Sequence, residues 1–526
     1  MKCFVNGVVH TLQAAHPLAE AVVSKGSRIV YVGSSRGAQS FAGPGAEVID
    51  MHGRLMLPGF IDDHVHLVLG GSQVAGLHLR QCTSTAEVVE TVAAYVNTHR
   101  GAWISGGDWD EEGWEVKRLP VRALIDPVSP DTPVFMNRFD WHMALANGVA
   151  LHKAGITRET PDPPGGTIVR DPATGEPTGI LKDAAMDLVT RVMPRPTPGE
   201  LEHAVLQALD VARRNGVTSV HDIAEEEHIP IYHKLEGTGR LTCRIYARLP
   251  IAGIAKLVRE RIRRAHGTEF VKVGSLKAFA DGSLGSNTAW FFEPYLNAPT
   301  TGLAMEVLTS GRLREWALEA DRHGLQLSVH AIGDRANDAV LTIFEDVVRE
   351  NPAWDRRFRI EHAQHVRAED IQRFASLGIV VSAQPYHCID DGVWAEQRIG
   401  PVRAATTYAF KSLLDAGVCV CFGSDWTVAP LDPIQGIYAA VTRATLDGKR
   451  PEGWVPAQRL SVEEAVRCYT VNNAYASFEE HLKGSVEPGK LADMVVLSDN
   501  IFTIPREEIR SVQVTMTVVD GEVVYG

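Results

Sequence analysis

From Arg214 onward, short apolar runs alternate with stretches whose apolar residues recur at helical spacing. GVTSVHDIA (216–224), CRIYARL (243–249), VGSLKAFA (273–280), LQLSVHAIGD (325–334), FRIEHAQ (358–364), GIVVSAQP (378–385) and VCVCFGSDW (418–426) each read as a strand. With PGFIDDHVHL (58–67) they make eight. Helical patterns at 201–214, 334–350, 369–377 and 406–416 fall between many of them, and Gly216, Gly324, Gly378 and Gly417 sit where a helix should end. This order predicts an α/β fold, a TIM-like (β/α)8 barrel, with functional side chains at the C-terminal ends of the strands.

Two regions break the alternation. Residues 1–57 (FVNGVV, RIVYVG, AEVIDMHG) and 483–526 (ADMVVLSDN, VQVTMTVVDGEVVYG, with a turn at Asp520-Gly521) show strand patterns, and together predict a small composite β-sandwich domain built from both termini. The barrel then occupies 58–482, with a long insertion at about 70–198 between its first and second strands. Within the insertion, TIVRDPATGEPTGIL (167–181) reads as a hairpin, and SGGDWDEEGWEVKRLP as an aromatic loop. Insertions at a barrel mouth usually shape the substrate cavity.

Composition narrows the partners. With 526 residues, 45% hydrophobic and 22% charged, the chain is ordinary for a soluble enzyme. A net charge of −13 without Lys/Arg clusters argues against nucleic acid. No apolar run approaches a bilayer span and MKCFVNGVVHTLQ is no signal peptide, so no membrane partner and a cytoplasmic location are expected. Cys3, Cys82, Cys243, Cys388, Cys419, Cys421 and Cys468 are scattered without CxxC spacing and read as reduced.

His64 and His66, two apart on a strand, share one face and can grip one ion, although an isolated His-x-His fits two packing histidines equally well. Lys277, His330, His362 and Asp425 each lie at or just beyond the end of an apolar run, where barrel strands would bring them together. Four histidines and two further ligand candidates exceed the needs of one ion and point to a two-metal site.

These segments resemble the amidohydrolase superfamily. ADGSLGSNTAW, SVHAIGDRAND, IEHAQ, QPYHCIDD, GSDWTVAPLDP and GSVEPGKLADMVVL are similar to the amidohydrolase 3 subgroup, the YtcJ-like and N-substituted formamide deformylase-like proteins, nearly end to end. The resemblance implies that His64 and His66 bind a more buried ion, His330 and His362 a more exposed one, and that Asp425 touches the site from the last strand. It implies a carbamate on Lys277 bridging two divalent ions; the plainer alternative is a salt bridge from Lys277 to an acid such as Asp281. Histidine and carboxylate donors suit Zn2+, and also manganese, iron, cobalt or nickel. The implied reaction is hydrolysis of a C–N amide bond in a small molecule, an N-substituted formamide or related amide, by a metal-bridging hydroxide with Asp425 as proton shuttle. The same centre acting on a cyclic imide, lactone, ester or phosphotriester, and a catalytically inactive scaffold, are the alternatives.

Further residues are substrate-binding candidates. His221, beside Asp222 at the end of the second strand, points to the mouth, with hydrogen bonding behind the ligands favoured over metal ligation. His142 and His387 occur in segments resembling the family's substrate-facing loops, where holding a carbonyl and structural hydrogen bonding are both open. Asp108, Trp109, Trp141, Tyr386 and Trp394 are candidates to line a pocket for an apolar or aromatic group, a core role being the default for any one aromatic. Barrels of this kind often form homo-oligomers.

Overall fold

In the computed structural model, which describes residues 1–74 and 76–526, β1 (Phe60–Val65) begins a ring of strands. It is followed by β2 (Val217–Ile223), β3 (Arg244–Pro250), β4 (Val271–Phe279), β5 (Gln326–Ala331), β6 (Arg359–His362), β7 (Val380–Ala383) and β8 (Cys419–Phe422). Each pairs in parallel with the next in chain order. The ring closes at the mouth: Val65 and Trp426 form a parallel bridge, the His66 amide donates to the Trp426 carbonyl (2.8 Å), and the Asp425 amide donates to the His64 carbonyl (2.7 Å). The fold is a (β/α)8 barrel of the TIM type.

Helices cover the outside through apolar stripes. Pro198–Arg214 starts at a capping box, Thr197 with Glu200, and buries Leu201, Ala204, Val205, Ala208, Leu209 and Ala212, the one-sided spacing of an amphipathic helix. Leu67–Val74, which follows β1 directly, packs against it through Gly71. A Cβ on Gly71 would lie 1.8 Å from the Ala204 carbonyl oxygen, a backbone atom that cannot swing aside. Gly71→Ala should therefore destabilise the fold by about 1–3 kcal/mol, the usual cost of overpacking, read as a lower urea midpoint at unchanged slope. An unchanged midpoint would mean the two helices separate freely.

Outside the barrel, Lys2–Val5, Ala21–Lys25, Arg28–Gly33 and Glu47–Asp50 form a four-stranded sheet. A six-stranded sheet joins Val8–His10, Leu18–Ala19 and Leu55–Pro58 to Met494–Leu497, Val514–Val519 and Glu522–Tyr525, with Leu55–Pro58 antiparallel to Met494–Leu497. Phe4, Val22 and Ile29 of the first sheet share a core with Met56, Met494 and Val518 of the second.

The insertion is more regular than its sequence suggests. It carries a six-stranded sheet in the order Gly166–Arg170, Pro177–Asp183, Met143–Ala146, Val134–Arg138, Ile104–Trp109, Leu77–His78. The hairpin is present, but SGGDW is strand where a loop was expected. Gly106 and Gly107, at φ 95° and 112°, break the register in a bulge, and that glycine pair hides the strand's alternation. Among the described residues, no helix is long and apolar enough to cross a membrane.

Candidate metal centre

The closure between β1 and β8 builds the centre. Asp62 accepts the backbone amides of His64 (3.1 Å) and Ser424 (3.0 Å), pinning the loop after β8 to β1. Gly423 makes the approach possible, since a Cβ there would meet the His64 nitrogen at 2.5 Å. Held this way, Asp425 sits at φ 55°, a strained setting for a non-glycine residue that aims its carboxylate across the mouth. Asp425 Oδ1 lies 3.5 Å from His64 Nε2 and 3.4 Å from His66 Nε2. The three residues offer donor atoms all within 4.8 Å of one another. Nitrogen and carboxylate donors gathered at this spacing suit a divalent cation.

Hydrogen bonds on the far sides of the rings fix which nitrogen is offered. Glu361 Oε2 accepts from His64 Nδ1 (2.5 Å), leaving the Nε2 lone pair toward Asp425. His362 Nδ1 is held by Gln384 Oε1 (2.8 Å), which leaves Nε2. His330 Nε2 faces the Gly282 carbonyl (3.1 Å), which leaves Nδ1. Such oxygen partners select the tautomer and orient the ring for a metal. The rings are close: His64 to His362 is 4.9 Å and His330 to His362 is 4.6 Å between centroids. Burial, reinforced by the Lys277 charge, pushes His64 down to about 3, so its imidazole is neutral and able to ligate. Burial would raise Asp425, but His64, His66 and His362 hold it well below the usual carboxylate range.

Beneath this layer the barrel interior is filled by charges. Arg248 Nη1 meets Glu361 Oε1 (2.7 Å), Arg359 Nε meets the same oxygen (3.1 Å), and Arg359 also pairs with Asp63. Against the effect of burial, the two guanidinium groups keep Glu361 well below its ordinary value. Lys277, on β4, is buried, and burial pushes it down to about 7, with Glu361 opposing and Arg248 reinforcing. Among the described residues no carboxylate lies within 4.0 Å of its Nζ; Asp281 is instead occupied by the backbone amides of Ile332, Gly333 and Trp290.

A cavity opens over the cluster, lined by His330, His362 and Asp425 with His142, His387 and Trp394 among others. This geometry accords with the comparisons. Residues 47–525 match the model of the amidohydrolase family, in its amidohydrolase 3 group. The chain belongs to the amidohydrolase family. It is 38% identical to the protein LONG AFTER FAR-RED 3 of Arabidopsis thaliana over 99% of this chain and 91% of that one. It is 29% identical to the N-substituted formamide deformylase of Arthrobacter pascens, over 99% and 97% of the two chains. A crystal structure of an uncharacterised metal-dependent hydrolase from Pyrococcus horikoshii superposes with a TM-score of 0.79 at 27% identity, covering 96% of this chain and 99% of that one.

In this amidohydrolase the structure brings together most, but not all, of the residues singled out from sequence. His142 comes from the inserted sheet; its Nδ1 meets Asp183 Oδ1 at 2.7 Å, and although burial lowers it, Asp183 raises it overall. Trp394 lines the cavity beneath the Arg398 guanidinium. Asp108 and Tyr386 line an adjoining cleft that shares Phe139 and Val428 with the cavity, and Trp141 lines a separate hollow with Phe135 and Met193. Trp109 is not brought to the cavity: it is fully buried in the core of the inserted sheet, its indole N–H bonded to the Met136 carbonyl (2.9 Å). His221 also lies away from the substrate space, fully buried in the interior network with Nδ1 2.6 Å from Asp63, and burial lowers it to about 4.

Glu361, Gln384, Asp183 and Arg248 escaped sequence reasoning. Strand alternation places Glu361 opposite His362, yet His362 turns at φ 72°, so both residues of the pair reach the site. Its position directly before a candidate ligand was the available signal.

Proposed function

We propose that the chain is a metal-dependent hydrolase that cleaves the C–N bond of a small amide, an N-substituted formamide or close relative. The observation that carries this reading is the convergence of His64 Nε2, His66 Nε2 and Asp425 Oδ1 under an open cavity at the barrel mouth. Similarity to a formamide deformylase supports the substrate class. His64 and His66 would hold one ion and His330 and His362 a second, zinc being the first choice for such donors.

Lys277 would complete the pair as a carbamate. A lysine pushed down to about 7 has a readily reached neutral form near physiological pH, and that amine adds to CO2 with loss of one proton to give an anionic oxygen ligand. An ammonium beside two cations is the unfavourable alternative.

When bound, the metals supply Lewis acidity toward a carbonyl oxygen and acidify water toward neutrality. The chain's own task is then proton traffic. The Asp425 carboxylate is ionised, and its Oδ2 stands 4.0 Å from the His362 ring. It accepts the proton of the attacking water and returns it to the departing nitrogen, without which an amine leaves poorly.

The test is hydrolysis of a panel of N-substituted formamides, other secondary amides, lactones, esters and a phosphotriester by protein stripped of metal and then reloaded with Zn2+ or Mn2+. Amine release from formamides that disappears on stripping and returns on reloading is the expected outcome. Cleavage confined to lactones or esters would move the substrate class, and turnover indifferent to metal would refute the proposal.

A further inference from the structure

The cavity contains one imidazole whose chemistry is unspent. Among the described residues that line it, His142 is bonded to Asp183, His330 to the Gly282 carbonyl and His362 to Gln384, whereas His387 has a buried ring nitrogen, Nε2, with no partner. The residue is only 8% exposed, and a buried polar nitrogen left without a partner destabilises the fold unless a ligand meets it. Its frame is rigid: Pro385–Asp391 follows β7 directly, Gln384 is tied to His362, Cys388 and Ile389 are buried, and Asp391 accepts from the Tyr408 hydroxyl (2.6 Å). A buried ring on this anchored segment, with an unmatched nitrogen in the same cavity as Asp425, His330 and His362, is placed to meet something that enters the cavity.

We propose that His387 is a catalytic residue of this site, donating from Nε2 to the carbonyl oxygen of the scissile amide and to the charge that develops there. The inference rests on the amide-hydrolase reading. Its ligand class is therefore a carbonyl or carboxylate oxygen, which the substrate and the acid product both carry. The hydrogen bond strengthens as the oxygen becomes anionic, so its contribution falls mainly on turnover.

The experiment compares wild type, His387→Phe, which fills the space without a donor, and His387→Gln, which restores an N–H, each metal-loaded and assayed for metal content. The Phe variant should keep its metal, lose about 10²–10³-fold in kcat with KM nearly unchanged, and His387→Gln should recover part of the loss. Binding of formate and acetate to the loaded protein, measured by calorimetry, should weaken about tenfold in the Phe variant, roughly one lost hydrogen bond. If wild type hydrolyses no amide, the amide reading fails while the carboxylate titration still tests His387. A fully metallated His387→Phe protein with wild-type carboxylate affinity, or with kcat within threefold of wild type, would overturn the proposal.

Discussion

Asp425→Asn is expected to lower amide turnover by about 10²–10⁴-fold while the protein stays folded, the range lost when a positioned general acid–base is removed. The geometry behind this is specific. The carboxylate reaches both His64 and His66 from a backbone held at φ 55° by the Asp62 contacts to β1 and the loop after β8. Asparagine preserves the shape and takes away the proton-accepting charge. Because Asp425 belongs to the three-residue donor cluster, metal content has to be measured beside the rate. A fully metallated variant with near-normal turnover would remove Asp425 from the proton path, and a variant that has merely lost its metal would assign Asp425 to ligation instead.

Replacing Glu361 should have the largest effect on the fold. Its carboxylate is buried, pairs with Arg248 and Arg359, and fixes the His64 ring. Glu361→Ala leaves two guanidinium groups in the barrel interior with one counter-charge fewer, and breaking a buried pair in this way costs about 3–5 kcal/mol. Glu361→Gln should be milder for stability but should weaken metal binding by about 10- to 100-fold, since the imidazole loses an anionic partner. The pH dependence has a definite sign. The folded-state pKa of Glu361 is depressed, so its contribution is present above the unfolded carboxylate value and is lost as pH falls below it. Denaturant midpoints at neutral and acidic pH, with chelator competition for metal affinity, check both effects. Wild-type stability in Glu361→Ala would mean that the arginines find other partners.

The barrel was legible because short apolar runs recur in order with helical patterns between many of them, and because the residues at strand ends carry unlike chemistry. Spacing placed His64 and His66 on one face without telling ligands from packing residues, the downstream strand ends favoured ligands, and both do reach Asp425. The inserted sheet was partly hidden, since Gly106 and Gly107 at positive φ interrupt the alternation that marks a strand. Trp109 illustrates the limit for aromatics: a large apolar side chain in a polar-looking segment fits a pocket or a core equally well, and here the indole N–H is satisfied inside the sheet. Partners of functional residues were harder still. Asp183 meets His142 across 41 positions, and Glu361 reaches His64 across 297, separations that only the fold brings together.

The two-ion centre is tested most directly by anomalous diffraction from crystals of protein purified without chelator, collected on either side of the zinc absorption edge and repeated for the manganese-loaded form. An anomalous peak bonded to His64, His66 and Asp425 is expected, with a second beside His330 and His362 and carbamate density continuous with the Lys277 side chain. Crystals of protein that hydrolyses amides but shows no anomalous scatterer at His64 and His66 would contradict it.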